Sequence, residues 1–373
     1  METKLVKLGD IISLNYGKSL TKKNRIPGDV PVYGSSGITD YHDKPLVDAP
    51  SLIIGRKGNI GSVFLSEVPF YPIDTTYFAK ESDLNGLDLH FAYYFLKFLP
   101  LSEMNTDSAI PGLNRNNFYS LDVVIPDIKS QKIIAFLLDQ ISYKIKINQQ
   151  INKNLLQMME TKWRKQFEGL DANQGHFTDL ADVVAGGTPS KKQSEYFGGN
   201  IAWITPKDMS KTTRVFIEHG TLNITKIGLN NSSAKLIPKG TILFSSRAPI
   251  GYIGIAANPV STNQGFKSLV PKRKEFTEYL YFLLKRLTPL IENIASGSTF
   301  KEISGAGMKS VDFPLPTSDM IEAFHHEARS LFDLIRCNEK QSQYLNSIRN
   351  LILPKLLSGD INLSGIEEAI KNA

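Results

Sequence analysis

Cysteine is almost missing: Cys337 is the only one in 373 residues. An intrachain disulfide is therefore excluded, which suits a reducing compartment. Long apolar runs are missing too. The stretch IIAFLL at 133–138 falls far short of the twenty or so residues that span a bilayer. The opening METKLVKLGD has no apolar signal core. A soluble, cytoplasmic chain with no membrane partner is the expectation. Catalytic signatures are equally scarce. There is no GxxxxGK[ST] phosphate loop, no HExxH, no paired-cysteine spacing and no GxSxG elbow. No Asn/Asp-Pro-Pro-aromatic tetrapeptide is present, the device by which a DNA amino-methyltransferase would hold its target amine. His325 and His326 are neighbours on a helical stretch, so they point about 100° apart and cannot share an ion as an i,i+4 pair can. Nothing here asks for a catalytic centre or a metal.

What is present is a duplication. SLDVVIP at 120–126 resembles SVDFPLP at 310–316, and 310 − 120 sets an offset of 190. The same offset pairs Ile60-Gly61 with Ile250-Gly251, Ser108 with Ser298, Ile145 with Ile335, Asn148 with Asn338 and Leu155 with Leu345. FAYYFLKFL at 91–99 also resembles YLYFLLKRL at 279–287. Near the start, LGDII at 8–12 resembles LADVV at 180–184, an offset of only 172, so the second copy carries an insertion. Each copy opens with short β-type runs among Gly, Pro, Asn, Ser and Thr. A short aromatic helix follows, then a strand ending at Pro126 or Pro316.

The composition then changes sharply. Residues 130–167 and 319–353 contain neither Gly nor Pro. At about 38 residues the first would form a helix about 57 Å long. Apolar residues recur at heptad-like spacing: Ile134, Leu137, Ile141, Ile151, Leu155 and Met158, then Leu331, Leu334, Leu345, Ile348 and Ile352. Two such helices are expected to pack on each other as an antiparallel coiled coil, with Asn148 and Asn338 at the seam. The fold class is α+β: two β-rich domains related by the repeat, each followed by a long helix. The boundaries are 1–127, 128–170, 177–317 and 318–362, with a tail at 363–373.

Charge is mildly basic, 43 Lys and Arg against 37 Asp and Glu, for +6. That permits a polyanionic partner without requiring one. The polar loops are more telling. In the first copy they carry Lys18, Ser19, Lys22, Lys23 and Arg25; Tyr33, Ser35 and Ser36; Arg56, Lys57 and Asn59; Thr75 and Thr76; Asn114, Arg115 and Asn116. In the second they carry Thr188, Ser190, Lys191, Lys192 and Tyr196; Thr205 and Lys207; Ser245, Ser246 and Arg247; Thr262, Asn263 and Gln264; and Lys301. Lys and Arg neutralise phosphates, Asn and Gln bridge adenine edges, and Arg bridges guanine. An exposed lysine pair alone is usually only a solvated face, and Trp203 is more often a core anchor than a stacking platform. The recurrence of the pattern in both copies favours DNA binding.

The order GGTPS…YFGG-NIAWITPKDM…PKGTILFSSRAPIG…STNQGF…LPLP, followed by a helix ending LPKLLSGDI, resembles the specificity subunit of Type I restriction-modification systems. GKSLTKKNR…VYGSSGI…LIIGRKGNIGSV resembles a variant of the same domain. The resemblance implies two target recognition domains held apart by the paired helices, each reading half of a bipartite double-stranded DNA target. It implies two modification subunits as partners, which methylate adenine, and two restriction subunits that can join them. S-adenosylmethionine, ATP and Mg would then belong to those partners, and this chain would bind no cofactor and catalyse nothing. A self-contained adenine methyltransferase or nuclease, or a scaffold binding only protein, is the alternative.

Overall fold

A computed structural model describes residues 1–104, 112–297 and 301–363. The pair Ser108–Ser298 and the tail from 364 lie outside them. The chain forms two compact units: Met1–Ile145 with the segment from Gln343 onward, and Lys146–Ser342. The boundary cuts each long helix, so each unit contains one β-rich domain and parts of both helices.

The first unit has a four-stranded sheet in the order Asn15–Tyr16, Thr76–Lys80, Ser51–Gly55, Val63–Ser66, with every neighbouring pair antiparallel. A three-stranded sheet (Gly37–His42, Val30–Gly34, Tyr71–Pro72) and a ribbon of Thr3–Lys7 with Asp122–Pro126 complete it. The second unit repeats this plan. Its main sheet runs Ala181–Ala185, Lys267–Pro271, Ile242–Ser246, Ile250–Ala256, Phe216–Ile217, and its ribbon pairs Gln174–His176 with Asp312–Pro314. All five residues of Ser51–Gly55 and of Ile242–Ser246 are buried. A strand covered on both faces reads as a continuous apolar run, as SLIIG and ILF do.

The registers confirm the offset of 190. Leu52 lies opposite Ala79 and Ile242 opposite Leu269. The N-terminal offset needs correction. Lys7 faces Asp122 as His176 faces Asp312, and 176 − 7 is 169. The helical turns Leu8–Ile11 and Phe177–Leu180 agree, each burying its first and last residue. The match of LGDII to LADVV was thus three residues out of register. The second ribbon also ends at Pro314, short of Pro316.

The long helices span Ile128–Phe167 and Ser318–Ser358. Asp127 opens the first, accepting from Ser130 N at 2.9 Å and Ser130 Oγ at 2.7 Å. These donors hold its carboxyl below the usual carboxylate range. Gly169 (φ +73) and Gly359 (φ +81) follow the two helix ends in the left-handed conformation that a helix stop favours. The second helix continues through Pro354, past the end of its Gly- and Pro-free stretch.

Within the second unit, Asn148 is fully buried and donates to Gln341 Oε1 at 2.8 Å, while Asn338 donates to Asn152 Oδ1 at 2.8 Å. Farther along, Gln166 Nε2 donates to Met320 O. Partners therefore run in opposite sequence directions. The seam differs from the heptad expectation. Ile151, Met158, Leu334 and Ile348 are 37%, 53%, 44% and 46% exposed. In the first helix the buried residues are Ser130, Gln131, Ile134, Ala135, Leu138, Ile145, Asn148, Met159, Trp163 and Phe167. The row Leu138, Ile145 and Met159 itself keeps heptad spacing; Ile151 and Met158 belong to a row one residue earlier, which lies about 100° around the helix.

Glu339, 8% exposed, accepts from Val215 N at 2.6 Å and Phe216 N at 3.0 Å. It ties the second long helix to an edge strand. Burial raises its carboxyl from 4.5 to about 7, against the pull of those two N–H groups. A raised folded-state value means the stability from this group is complete below about pH 4.5 and is lost as pH rises through about 7. Glu339→Gln stays neutral throughout. Its stability relative to wild type should rise by on the order of 3 kcal/mol between about pH 4.5 and 8. Urea denaturation of the full chain across that range checks this, and parallel pH profiles would refute it.

Candidate nucleic-acid interface

In the first unit the Gly17 turn brings the chain out of the sheet. A Cβ on Gly17 would lie 2.1 Å from Ile73 O, so only glycine fits. Lys18, Ser19, Lys22 and Lys23 follow, all exposed. Arg25 does not join them. It turns inward to Asp40 at 2.9 Å, and its side chain is 10% exposed. Ser36 and Asn59 are exposed, and Ser35 is half-buried with its carbonyl accepting from Ser62 Oγ. Thr75 serves through its backbone, whose carbonyl accepts from Arg56 N and Lys57 N. Two residues nominated for contact belong to the core. Tyr33 packs edge-on against Phe70 at 5.5 Å, and Thr76 is fully buried with its hydroxyl on Ile73 O.

Arg56, Lys57, Asn114, Arg115 and Asn116 come together. With Tyr16, Tyr77 and Leu113 they line a cavity of about 270 Å³. Arg56 lies 4.9 Å from the Tyr16 ring centroid and 5.8 Å from that of Tyr77, and its Nη1 donates to Asp74 O at 3.1 Å. Arg115 stacks on the same Tyr16 ring at 5.1 Å and on Tyr119 at 5.9 Å. A guanidinium held over aromatic faces is restrained in position while its N–H donors stay able to bond a ligand. Tyr77 donates to Leu113 O at 3.0 Å, and burial raises its hydroxyl above the ordinary tyrosine range. Asn114 spends its side-chain oxygen on Asn116 N and Asn117 N, capping Arg115–Ser120.

In the second unit the 186–210 segment separates into frame and surface. Trp203 is 3% exposed and donates to Gly187 O at 3.0 Å, as a core anchor. Gly186 repeats Gly17: its Cβ would fall 2.0 Å from Asn263 O. Ser190, Lys191, Lys192 and Lys207 are exposed and Tyr196 is half-buried. Thr188 donates to the exposed Gln264. Thr205 is used as a helix cap with Asp208, and Asn263 accepts from Gly265 N. Ser245, Ser246 and Thr262 are buried strand residues, so their nomination is corrected. Ser245 shows why: its hydroxyl donates to Pro249 O at 2.8 Å and accepts from Tyr252 N at 2.7 Å. Lys301 is exposed and donates to Glu292 O.

Arg247 is drawn into a network that the sequence reading missed. Its Nη1 lies 3.1 Å from Glu302, which Lys267 also meets at 3.3 Å. Isolated bridges join Lys57 to Gly112 and Arg247 to Glu302. Both members are again 190 apart, so the network sits at the frame position of the first unit's cavity. Tyr16 pairs with Tyr77 as Ala185 pairs with Lys267. The offset could have flagged Glu302 and Lys267 as the counterparts of Gly112 and Tyr77, and Tyr16 required the corrected offset of 169. Glu302→Gln leaves Lys267, with its side chain 11% exposed, beside a neutral amide. The second unit should lose about 1–2 kcal/mol. Urea denaturation reads the loss, and no change would mean the network contributes nothing.

A family model, the Type I restriction modification DNA specificity domain, matches residues 1–157 and 173–350. The chain is 38% identical over 203 residues to the Type I restriction enzyme MjaIX specificity subunit of Methanocaldococcus jannaschii, covering 52% of this chain and 47% of that protein. It is 32% identical over 187 residues to the HindI specificity subunit of Haemophilus influenzae, covering 49% and 40%. The matches thus span about half the length of these curated relatives. The fold is that of the crystal structure of the Type-I restriction-modification system S subunit from M. genitalium, with TM-score 0.63, 18% identity, and 95% and 96% of the two chains covered. With the model matching both halves of the repeat, the chain belongs to the Type I restriction-modification DNA specificity family.

Proposed function

We propose that this chain is the DNA sequence-specificity subunit of a Type I restriction-modification complex. Each β-rich domain reads one half of a bipartite double-stranded target. The carrying observation is the duplicated frame with unlike polar sites: two arginines on tyrosine rings in one, a carboxylate holding two cations in the other. Two copies of one frame suit two half-sites on one duplex, and unlike sites suit an asymmetric target. The chain acts as a non-catalytic subunit in the cytoplasm. Adenine-N6 methylation belongs to two modification subunits, and cleavage to restriction subunits where they join. S-adenosylmethionine, ATP and Mg are theirs. The test is co-expression with a cognate modification subunit, followed by single-molecule sequencing of adenine methylation. A bipartite motif that appears only with this chain supports the reading. A motif indifferent to which specificity chain is present refutes it, and methyl transfer by the purified chain alone would favour the enzyme alternative.

In this reading the long helices pair as an antiparallel coiled coil and set the distance between half-sites. One heptad inserted into both helices lengthens the pair by about 10.5 Å. At about 3.4 Å per base, the preferred spacer should grow by about three base pairs with unchanged half-sites. Methylation mapping on a spacer library checks this. An active, assembled variant that still prefers the original spacer would show that the helices do not set the distance.

A further inference from the structure

The shared frame permits a comparison that a single domain would not. A phosphate is the same at every step of a duplex, so a position that only anchors the backbone has no chemical reason to differ between two copies of a domain. A position that reads a base does. Beside the Lys57–Gly112 bridge the first unit gathers Arg56, Lys57 and Arg115, and among the described residues its cavity lining includes no carboxylate. Beside the Arg247–Glu302 bridge the second unit places a carboxylate, with Arg247 and Lys267 bound to it. At the place of Arg115, offset 190, it has Gly305. The chemistry changes from cations among neutral polar groups to a carboxylate flanked by cations.

The two guanidiniums of the first unit are not alike. Arg56 is committed, bonded to Asp74 O and stacked on Tyr16 and Tyr77. Arg115 is oriented by Tyr16 and Tyr119 but only half-buried, with exposed Asn114 and Asn116 on either side. A fork of donors fixed in plane at the edge of a concave site matches two adjacent acceptors. In the major groove guanine presents two, O6 and N7, whereas adenine sets a donor beside its acceptor.

We propose that Arg115 reads a guanine in the half-site of the first unit. This rests on the reading of the chain as a specificity subunit. The test uses the complex with modification subunits and maps adenine methylation for wild type, Arg115→Ala and Arg115→Lys. Exchange of residues 1–127 for those of a relative identifies the first unit's half-site. Expected is relaxed discrimination at one G·C pair of that half-site, roughly 5- to 150-fold, in both variants, because lysine keeps the charge but lacks the fork. The other half-site should be unchanged. The proposal is overturned if that half-site contains no G·C pair. It is also overturned if both variants keep the wild-type motif, or if Arg115→Ala weakens methylation equally at all sites and Arg115→Lys restores it, the behaviour of a phosphate anchor. A wild-type complex that follows no bipartite motif fails earlier, and sinks the functional reading rather than this assignment alone.

Discussion

The aromatic cluster of the second unit is the contact on which its architecture depends. Phe167, at the end of the first long helix, meets Tyr279 at 4.9 Å and Phe324 at 5.7 Å, and Phe282 meets Phe332 at 5.8 Å. Trp163, Phe167, Tyr279, Phe282, Phe324 and Phe332 share one core with sheet residues Ile242, Phe244 and Leu269. Each such ring contributes about 1.5–3 kcal/mol by burial, and edge-to-face pairs add a fraction more. The first unit uses smaller residues to the same end: Ile134 and Leu138 from one helix and Leu356 and Leu357 from the other join Leu52, Ile54 and Phe95. Each core therefore draws on helix segments far apart in sequence. Neither β-rich domain has its full apolar cover without them.

That division of labour frees the loops. Stability resides in buried strands and helices, so the loops can change residue by residue while the frame persists. Gly17 and Gly186 mark the hand-over in each unit. Both follow directly on a main-sheet strand, and a backbone carbonyl leaves either no room for a Cβ. Beyond them the loops share little: Lys18 to Arg25 in one, Thr188 to Tyr196 in the other.

This separation explains what was legible beforehand. The frame was readable because it repeats. Ser51–Gly55 and Ile242–Ser246 and the two helices follow from periodicity and composition. Registers were less readable. Asp10 and Asp182 both stand two residues after a leucine and precede two apolar residues, yet the ribbon registers make Asp179 the counterpart of Asp10. The seam was half right: Ile134 lies on the buried face, but Ile151 and Met158 belong to an apolar row one residue away from Leu138, Ile145 and Met159, and several apolar rows compete in such a helix. Site residues were hardest. Composition cannot tell a serine that ends a buried strand, as Ser245 and Ser246 do, from one on a loop. Nor does it show that Tyr16 and Tyr77 orient the arginines, because tyrosines near glycine read as core.

Charge makes the same point about place over composition. A net +6 is too small to imply a DNA-binding surface by itself. The structure shows that several basic residues are already engaged: Arg25 with Asp40, Arg247 and Lys267 with Glu302, Lys285 with Glu160, Arg286 with Glu168. Their charge is largely offset by the carboxylates they meet, although Arg247 and Lys267 share one and keep a net positive charge between them. Lys18, Lys22, Lys23, Lys191 and Lys192 stand exposed on the two divergent loops, and Arg56 and Arg115 lie on rings instead of carboxylates. Other exposed lysines, such as Lys44, Lys144, Lys226 and Lys239, stand elsewhere in the two units, so exposed charge marks a binding face less well than cations held in place, as Arg56 and Arg115 are on their rings.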